Sequence, residues 1–319
     1  MNQDLDTLWN FEDPAAAEIT LRGLLTVHET TNDATGAPTG GATDDAQQEI
    51  EIIENRWIEL KTLLARSLSL QGKLSEARAS LDGAKNRLPP GDDHALDVAP
   101  VWILWLIEKG RLCVLEKTPS QAPRFLQDAW KRAVDSGHDY FVTDIALLMA
   151  SIEEPKGRQA WIVRAIEVAE KSTQEKTKAR LGELYSSLGW MQAELRQFEN
   201  ALRSFGRART IFEGLGISDE VFFARWSTGK ILRKMNRTEE ALEVQNELLS
   251  EVASKSVLKG RLYEELAECL QSLKRPEEAR PYFELAHQEL SDNEWITDNQ
   301  PLKLKRMKEL GKGKMPPKF

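Results

Sequence analysis

Between Glu49 and Leu290, apolar residues recur three and four positions apart, the period of one helix face. Turn-prone stretches interrupt them at regular intervals, and no segment convincingly alternates apolar and polar residues as a strand would. Ser186 to Ala208, SSLGWMQAELRQFENALRSFGRA, shows the pattern most clearly. It reads as a helix, a short turn at Arg196–Gln197 and a second helix. Small residues stand at Gly189, Ala201 and Ala208, and bulky ones at Leu188, Phe198 and Phe205. Two antiparallel helices on a tight turn approach closely only where the contact residues are small. Gly189 and Ala201 supply that contact, Leu188, Phe198 and Phe205 fill the space beside it, and Ala208 lets the next pair dock.

The pattern returns along the chain. Leu64-Ala65, Ala77, Leu81 and Ala84 form the first clear copy, which ends at Pro89. Ala122, Leu126 and Ala129 mark a second copy, and Ala160 anchors a poorer third. Thr228-Gly229, Ala241 and Leu248 follow the opening stretch, and then Leu266-Ala267, Ala279, Phe283 and Ala286. The anchors Ala77, Ala122, Ala160, Ala201, Ala241 and Ala279 lie 45, 38, 41, 40 and 38 residues apart. A repeat of this length predicts stacked helix pairs.

The order L-G…A…F…A, followed in the first copy by P, occurs in LGWMQAELRQFENALRSFGRA and LARSLSLQGKLSEARASLDGAKNRLPP. With YEELAECLQSLKRPEEARPYFELAHQEL, it resembles the tetratricopeptide repeat over residues 57–290. The second and third copies depart from it: Lys109-Gly110 and Leu147-Leu148 stand where Leu-Gly is usual, and Arg164 replaces the aromatic. The whole chain also resembles a group of tetratricopeptide proteins, a likeness that implies architecture and no chemistry. The resemblance implies an all-α fold: an α-α superhelix, or tetratricopeptide-like solenoid, of six to seven antiparallel helix pairs. Around it are expected an acidic arm (1–13), capping helices (14–56) with a flexible loop at 29–46, and a closing helix with a basic tail (291–319). Asp13-Pro14 starts the first capping helix, expected to end near His28, because Asp caps free amides and Pro fits the first helical position. Glu294–Leu310 is read as the closing helix.

The resemblance also implies a groove lined by the first helix of each pair, holding a peptide or protein segment. Counted from the anchor alanines, the inward places fall on Trp190, Trp226, Lys230, Arg233 and Lys234. Phe222–Thr238, FFARWSTGKILRKMNRT, holds five bases and no acid, in a chain of net charge -8. Cations beside tryptophan would favour an acidic partner with an aromatic or apolar anchor. Packing is the competing reading for both tryptophans. Lys230 and Arg233 match only loosely the clamp by which some family members grip a chaperone's terminal carboxylates. Trp102 and Trp105, in VWILWLIE, belong to a helix apolar all round and should be buried.

Charge is uneven. Residues 1–54 hold twelve acids against Arg22, and residues 301–319 hold seven bases against Glu309. The arm segment LDTLWNFED is acidic and aromatic, so it suits the proposed groove; the alternative is that Trp9 and Phe11 staple the capping helix. The acidic whole argues against nucleic acid as a partner. The longest apolar run, Val98–Ile107, is too short to span a bilayer, and the N-terminus lacks a signal-type core. A cytoplasmic protein without a membrane partner is expected.

Cys113 and Cys269 read as buried thiols, and the four histidines have no metal-site spacing. His94 follows GDD as the end of a turn, and GKGK at 311–314 lacks the rest of a phosphate loop. No cofactor and no catalysis are expected. Two functions fit: a non-catalytic protein-interaction scaffold, or a ligand-gated regulator that senses a small peptide or metabolite and changes its docking to a second protein.

Overall fold

The computed structural model describes residues 13–35, 44–89, 99–251 and 257–313. The acidic arm, His94 and the last basic residues lie outside them. Among the described residues the chain is helical and carries no strand. It divides into two units, Met1–Thr177 and Lys178–Phe319.

The first unit opens with α1 (Pro14–Thr35) and continues with three pairs: α2 (Asp44–Leu70) with α3 (Leu74–Arg87), α4 (Ala99–Leu115) with α5 (Ala122–Asp135), and α6 (Asp139–Ile152) with α7 (Pro155–Lys171). The unit ends within the short α8 (Glu175–Ala179). Asp13 caps α1 as its sequence predicts, its Oδ1 accepting from the Ala16 amide at 3.0 Å. The helix runs to Thr35, past the expected end at His28, and α2 begins at Asp44. Leu21 and Leu25 bury α1 against α2, and Ser67 donates to the Pro14 carbonyl at 2.6 Å. Glu18 accepts from Gln71 at 2.9 Å and from Lys73 at 2.7 Å, and also from Arg22; these donors hold its carboxyl down at about 2.

The second unit also holds three pairs: α9 (Leu181–Glu194) with α10 (Phe198–Leu215), α11 (Ser218–Lys234) with α12 (Thr238–Glu251), and α13 (Val257–Ser272) with α14 (Pro276–Ser291). The closing helix is two helices rather than one, α15 (Glu294–Asn299) and α16 (Pro301–Gly311). Pro301 has no amide to continue α15, so the chain breaks at Gln300 and restarts. Leu304 and Met307 bury α16 against the last pair.

One turn recurs in both units. A residue with positive φ follows the helix, at Gly72, Lys117, Gly137, Arg196, Gly216, Asn236 and Lys274. The next amide bonds back to the last helical turn, as Gln197 does to the Gln192 carbonyl at 2.8 Å. This is the left-handed stop that satisfies a helix's orphan carbonyls.

The anchors Ala77, Ala122, Ala201, Ala241 and Ala279 are wholly buried. Ala160 is exposed, which corrects the third copy. There the wholly buried Ile162 takes the anchor position, Ile166 the bulky one, and Ala169 the second notch; Met149-Ala150 replaces the expected Leu147-Leu148. The anchor spacings become 45, 40, 39, 40 and 38. In the other five pairs the first helix runs five residues past its small residue, but α6 stops two residues past Ala150. The turn has slid along the pair, through extended Glu153 and Glu154 to Pro155, while the contacts kept their twelve-residue spacing.

Trp105 is buried and donates to the Leu81 carbonyl at 2.9 Å; Trp102 is partly buried beneath Lys85. Both cysteines are free and buried, and burial pushes the Cys269 thiol up to about 12.

Candidate functional site

All five residues singled out from the sequence lie in the second unit, on α9 and α11. Trp226 is 5% exposed. Its indole N–H donates to the Arg261 carbonyl at 3.1 Å, and its ring stacks on Phe223 at 5.4 Å between centroids. Trp190 is partly exposed, lies 6.0 Å from Trp226 and meets Phe205 edge-on at 5.2 Å. The four rings form one packed cluster. Trp226 is its buried member, while Trp190 keeps part of its surface.

The bases of α11 have partners that the local sequence does not show. Arg225 reaches Glu251 at 2.5 Å and Glu247 at 3.0 Å, both on α12. Arg237, just beyond the helix, pairs locally with Glu240 at 2.7 Å. Arg233 grips Glu265 of α13 through two nitrogens, at 2.5 and 3.2 Å. Lys230 lies 4.0 Å from the same carboxylate and 4.8 Å from the centroid of the Trp226 ring. Burial lowers the lysine's pKa, with Glu265 opposing the shift. Lys234 is exposed at the end of α11.

Glu265 is 1% exposed, so it is a buried anion and depends on these cations. Its neighbours along α13, Glu264 and Glu268, turn to α16: Lys303 meets Glu264 at 2.6 Å, and Arg306 pairs with Glu268. The stripe Glu264, Glu265 and Glu268 therefore sits between two basic helices. Sequence reading missed the stripe, since only helix neighbours that are distant in sequence reveal it.

The charges do not cancel evenly. The two outer carboxylates have one base each, but Lys230 and Arg233 share Glu265, and Lys234 adds a further positive charge beside them. The first unit places a related group on α2, α4 and α6. There Arg111 bonds Glu108 and Asp144, each at 3.1 Å, with Arg66 3.6 Å from Glu108. Among the described residues no group of three or more His, Cys, Asp or Glu side chains is arranged to hold a metal. Nor is any helix there long and apolar enough to cross a membrane.

Residues 260–286, which span most of α13 and the notches Ala267, Ala279 and Ala286, match the family model of the tetratricopeptide repeat. That segment is a tetratricopeptide repeat, and the other helix pairs share its fold. Among curated proteins it is 26% identical over 183 residues to the outer dynein arm-docking complex subunit 4 of Xenopus laevis. That match takes in 54% of this chain and 34% of the relative, so this chain spans about a third of that protein's length. The apo form of RapI superposes with a TM-score of 0.72 over 97% of this chain and 80% of its own, at 13% identity. NprR in complex with its cognate peptide NprX superposes with a TM-score of 0.50 over 94% of this chain and 85% of its own, at 16% identity. At such identities the likeness is one of fold: repeated helix pairs.

Proposed function

We propose that the protein is a non-catalytic binding scaffold and that the α9–α11–α13 face of its second unit holds a peptide or protein segment. The observation that carries this reading is the uneven pairing at Glu265. Lys230 and Arg233 share one buried carboxylate beside the exposed Lys234, leaving unspent positive charge on an otherwise acidic chain. A partner's carboxylate would compete for that charge in a partly desolvated place, where such a pair is stronger than on an open surface. Its apolar anchor would rest on the exposed part of Trp190. Trp226 serves as a floor beneath the cluster rather than as a contact. The expected partner is an acidic segment with an aromatic or large aliphatic residue.

The test uses acetylated, dye-labelled LDTLWNFED, the acidic aromatic segment of the chain's own arm, in a polarisation titration. Reversing Arg233 would strand Glu265, so the informative variant is Lys230→Gln with Lys234→Gln. It should weaken binding about tenfold or more with little change in melting temperature. Equal affinity for both proteins would remove the site. Deleting residues 1–12 should tighten binding if the arm competes in cis.

A second reading, the ligand-gated regulator, draws support from the fold shared with NprR, which was solved with its cognate peptide. Small-angle scattering separates the two. A passive scaffold keeps its radius of gyration when the peptide binds, and a gated regulator becomes more compact.

A further inference from the structure

At the start of α11 the second unit is hollow. A cavity of about 510 Å³ opens there, bounded by the end of α10, the first turns of α11, the end of α12 and the start of α13. Its walls are apolar: Phe212 of α10, Val221 and Phe222 of α11, and Leu258 of α13. Phe212 is 4% exposed, so it forms the floor. On its far side the same ring is jammed against α9, where a Cβ on Gly182 would lie 2.5 Å from it. The contrast has a local cause. The turn from α10 to α11 brings to the rim Gly216, in the left-handed conformation that ends α10, and Ser218; neither has the bulk to fill the gap. Protein interiors hold few voids larger than a water molecule, and a hollow of this size falls in the range of small-ligand sites.

Charge at the mouth selects what can enter. Three carboxylates line it, Glu213, Asp219 and Glu251, against one base, Arg225. That base is spent, since it meets Glu251 at 2.5 Å and Glu247 at 3.0 Å. Glu213 holds Arg209 at 2.7 Å. Among the described residues no base pairs with Asp219 or with the adjacent Glu220. Burial pushes the Glu220 carboxyl up, and Glu183 and Asp219 add to the shift. The free amides that open α11 offset about half a charge and leave the rest. Such a mouth repels anions and draws cations in. A hydrated metal ion gains nothing from apolar walls, and a plain hydrocarbon gains nothing from carboxylates. The occupant that answers both has an apolar body and one positive end.

We propose that this cavity binds a small organic amine with an aromatic or branched aliphatic body. The body lies on Phe212, Phe222 and Leu258, and the ammonium stands at the rim by Asp219 and Glu251. α11 bears the cavity at its first turns and Lys230, Arg233 and Lys234 at its last, so the two sites share a helix but no residue. The amine site therefore stands whether or not the proposed binding face holds a partner.

The test is titration calorimetry of the full chain at low salt with two probes of one shape and opposite charge, tryptamine and indolepropionate. Tryptamine should bind with a Kd of about a millimolar or tighter, and indolepropionate about tenfold more weakly or not at all. Asp219→Asn removes the unpaired carboxylate at an exposed position. It should weaken tryptamine about threefold or more with little change in melting temperature. Ser218→Trp puts an indole into the mouth from another exposed position and should abolish binding. Lys230→Gln, which weakens the proposed binding face, lies outside the cavity and should leave tryptamine binding unchanged. Acetyl-phenylalanyl-lysine amide separates the sources of the amine: tighter binding than tryptamine's supports the site and makes the occupant a lysine side chain of a peptide. Four results would each overturn the proposal: no binding of tryptamine, equal affinity for the two probes, both rim variants binding tryptamine as the unmodified chain does, or loss of binding in Lys230→Gln.

Discussion

Gly189 and Gly110 leave no room for a methyl group. A Cβ would lie 2.8 Å from the Phe205 ring at Gly189 and 2.6 Å from Leu126 at Gly110. Gly189→Ala should therefore destabilise the second unit by about 1–3 kcal/mol, despite alanine's better helix propensity, as overpacking does. Chemical denaturation measures it. The sequence alone disclosed these notches because their twelve-residue spacing to the facing alanine is rigid. It misplaced the third, at Ala160, because a large residue, Ile162, stands there and the turn had slid. A pattern of small residues cannot reveal a position where the small partner, Ala150, is on the other helix. Glu59 shows a different limit. Nothing in its sequence neighbourhood marks it, yet burial pushes its pKa up to about 7, with Arg56 opposing. The folded chain then holds a proton that the unfolded chain releases near 4.5, so this residue's contribution to stability declines as pH rises from about 4.5 to 7. Glu59→Gln should raise stability at pH 8 by about 2–3 kcal/mol and leave it little changed at pH 4. Thermal melts at both values decide it.

At the scale of the helix, the turns and the charge stripe carry the structure. Positive φ at Lys117, Arg196 and Lys274 is a conformation that side chains with a Cβ adopt at a cost. Replacing Arg196 or Lys274 with glycine should stabilise the fold by about 0.5–1 kcal/mol each, seen as a higher denaturation midpoint. The bases of α11 read as a free cationic patch in sequence because their partners lie on α12 and α13, as distant in the chain as Glu251 and Glu265. Arg233→Met should cost about 3–5 kcal/mol by stranding Glu265, and adding Glu265→Leu should recover much of the loss. A double-mutant cycle reads the coupling directly. The break between α15 and α16 was legible in principle, since Pro301 forbids continuity, but the apolar spacing on both sides invites a single helix.

Over the whole molecule, the pattern of apolar residues announced the class of fold and six helix pairs, three in each unit, because that pattern follows from packing and packing repeats. The binding face was only half legible. Its cations could be counted along α11, but which of them remain unspent depends on the stripe Glu264, Glu265 and Glu268. Charge at Glu265, shared by two bases, is therefore the centre of the account. The most direct measurement is hydrogen exchange of the full chain with and without saturating LDTLWNFED peptide. Slowed exchange confined to residues 186–194, 226–234 and 260–268 is the predicted result. Unchanged exchange there, with protection appearing elsewhere, would contradict it.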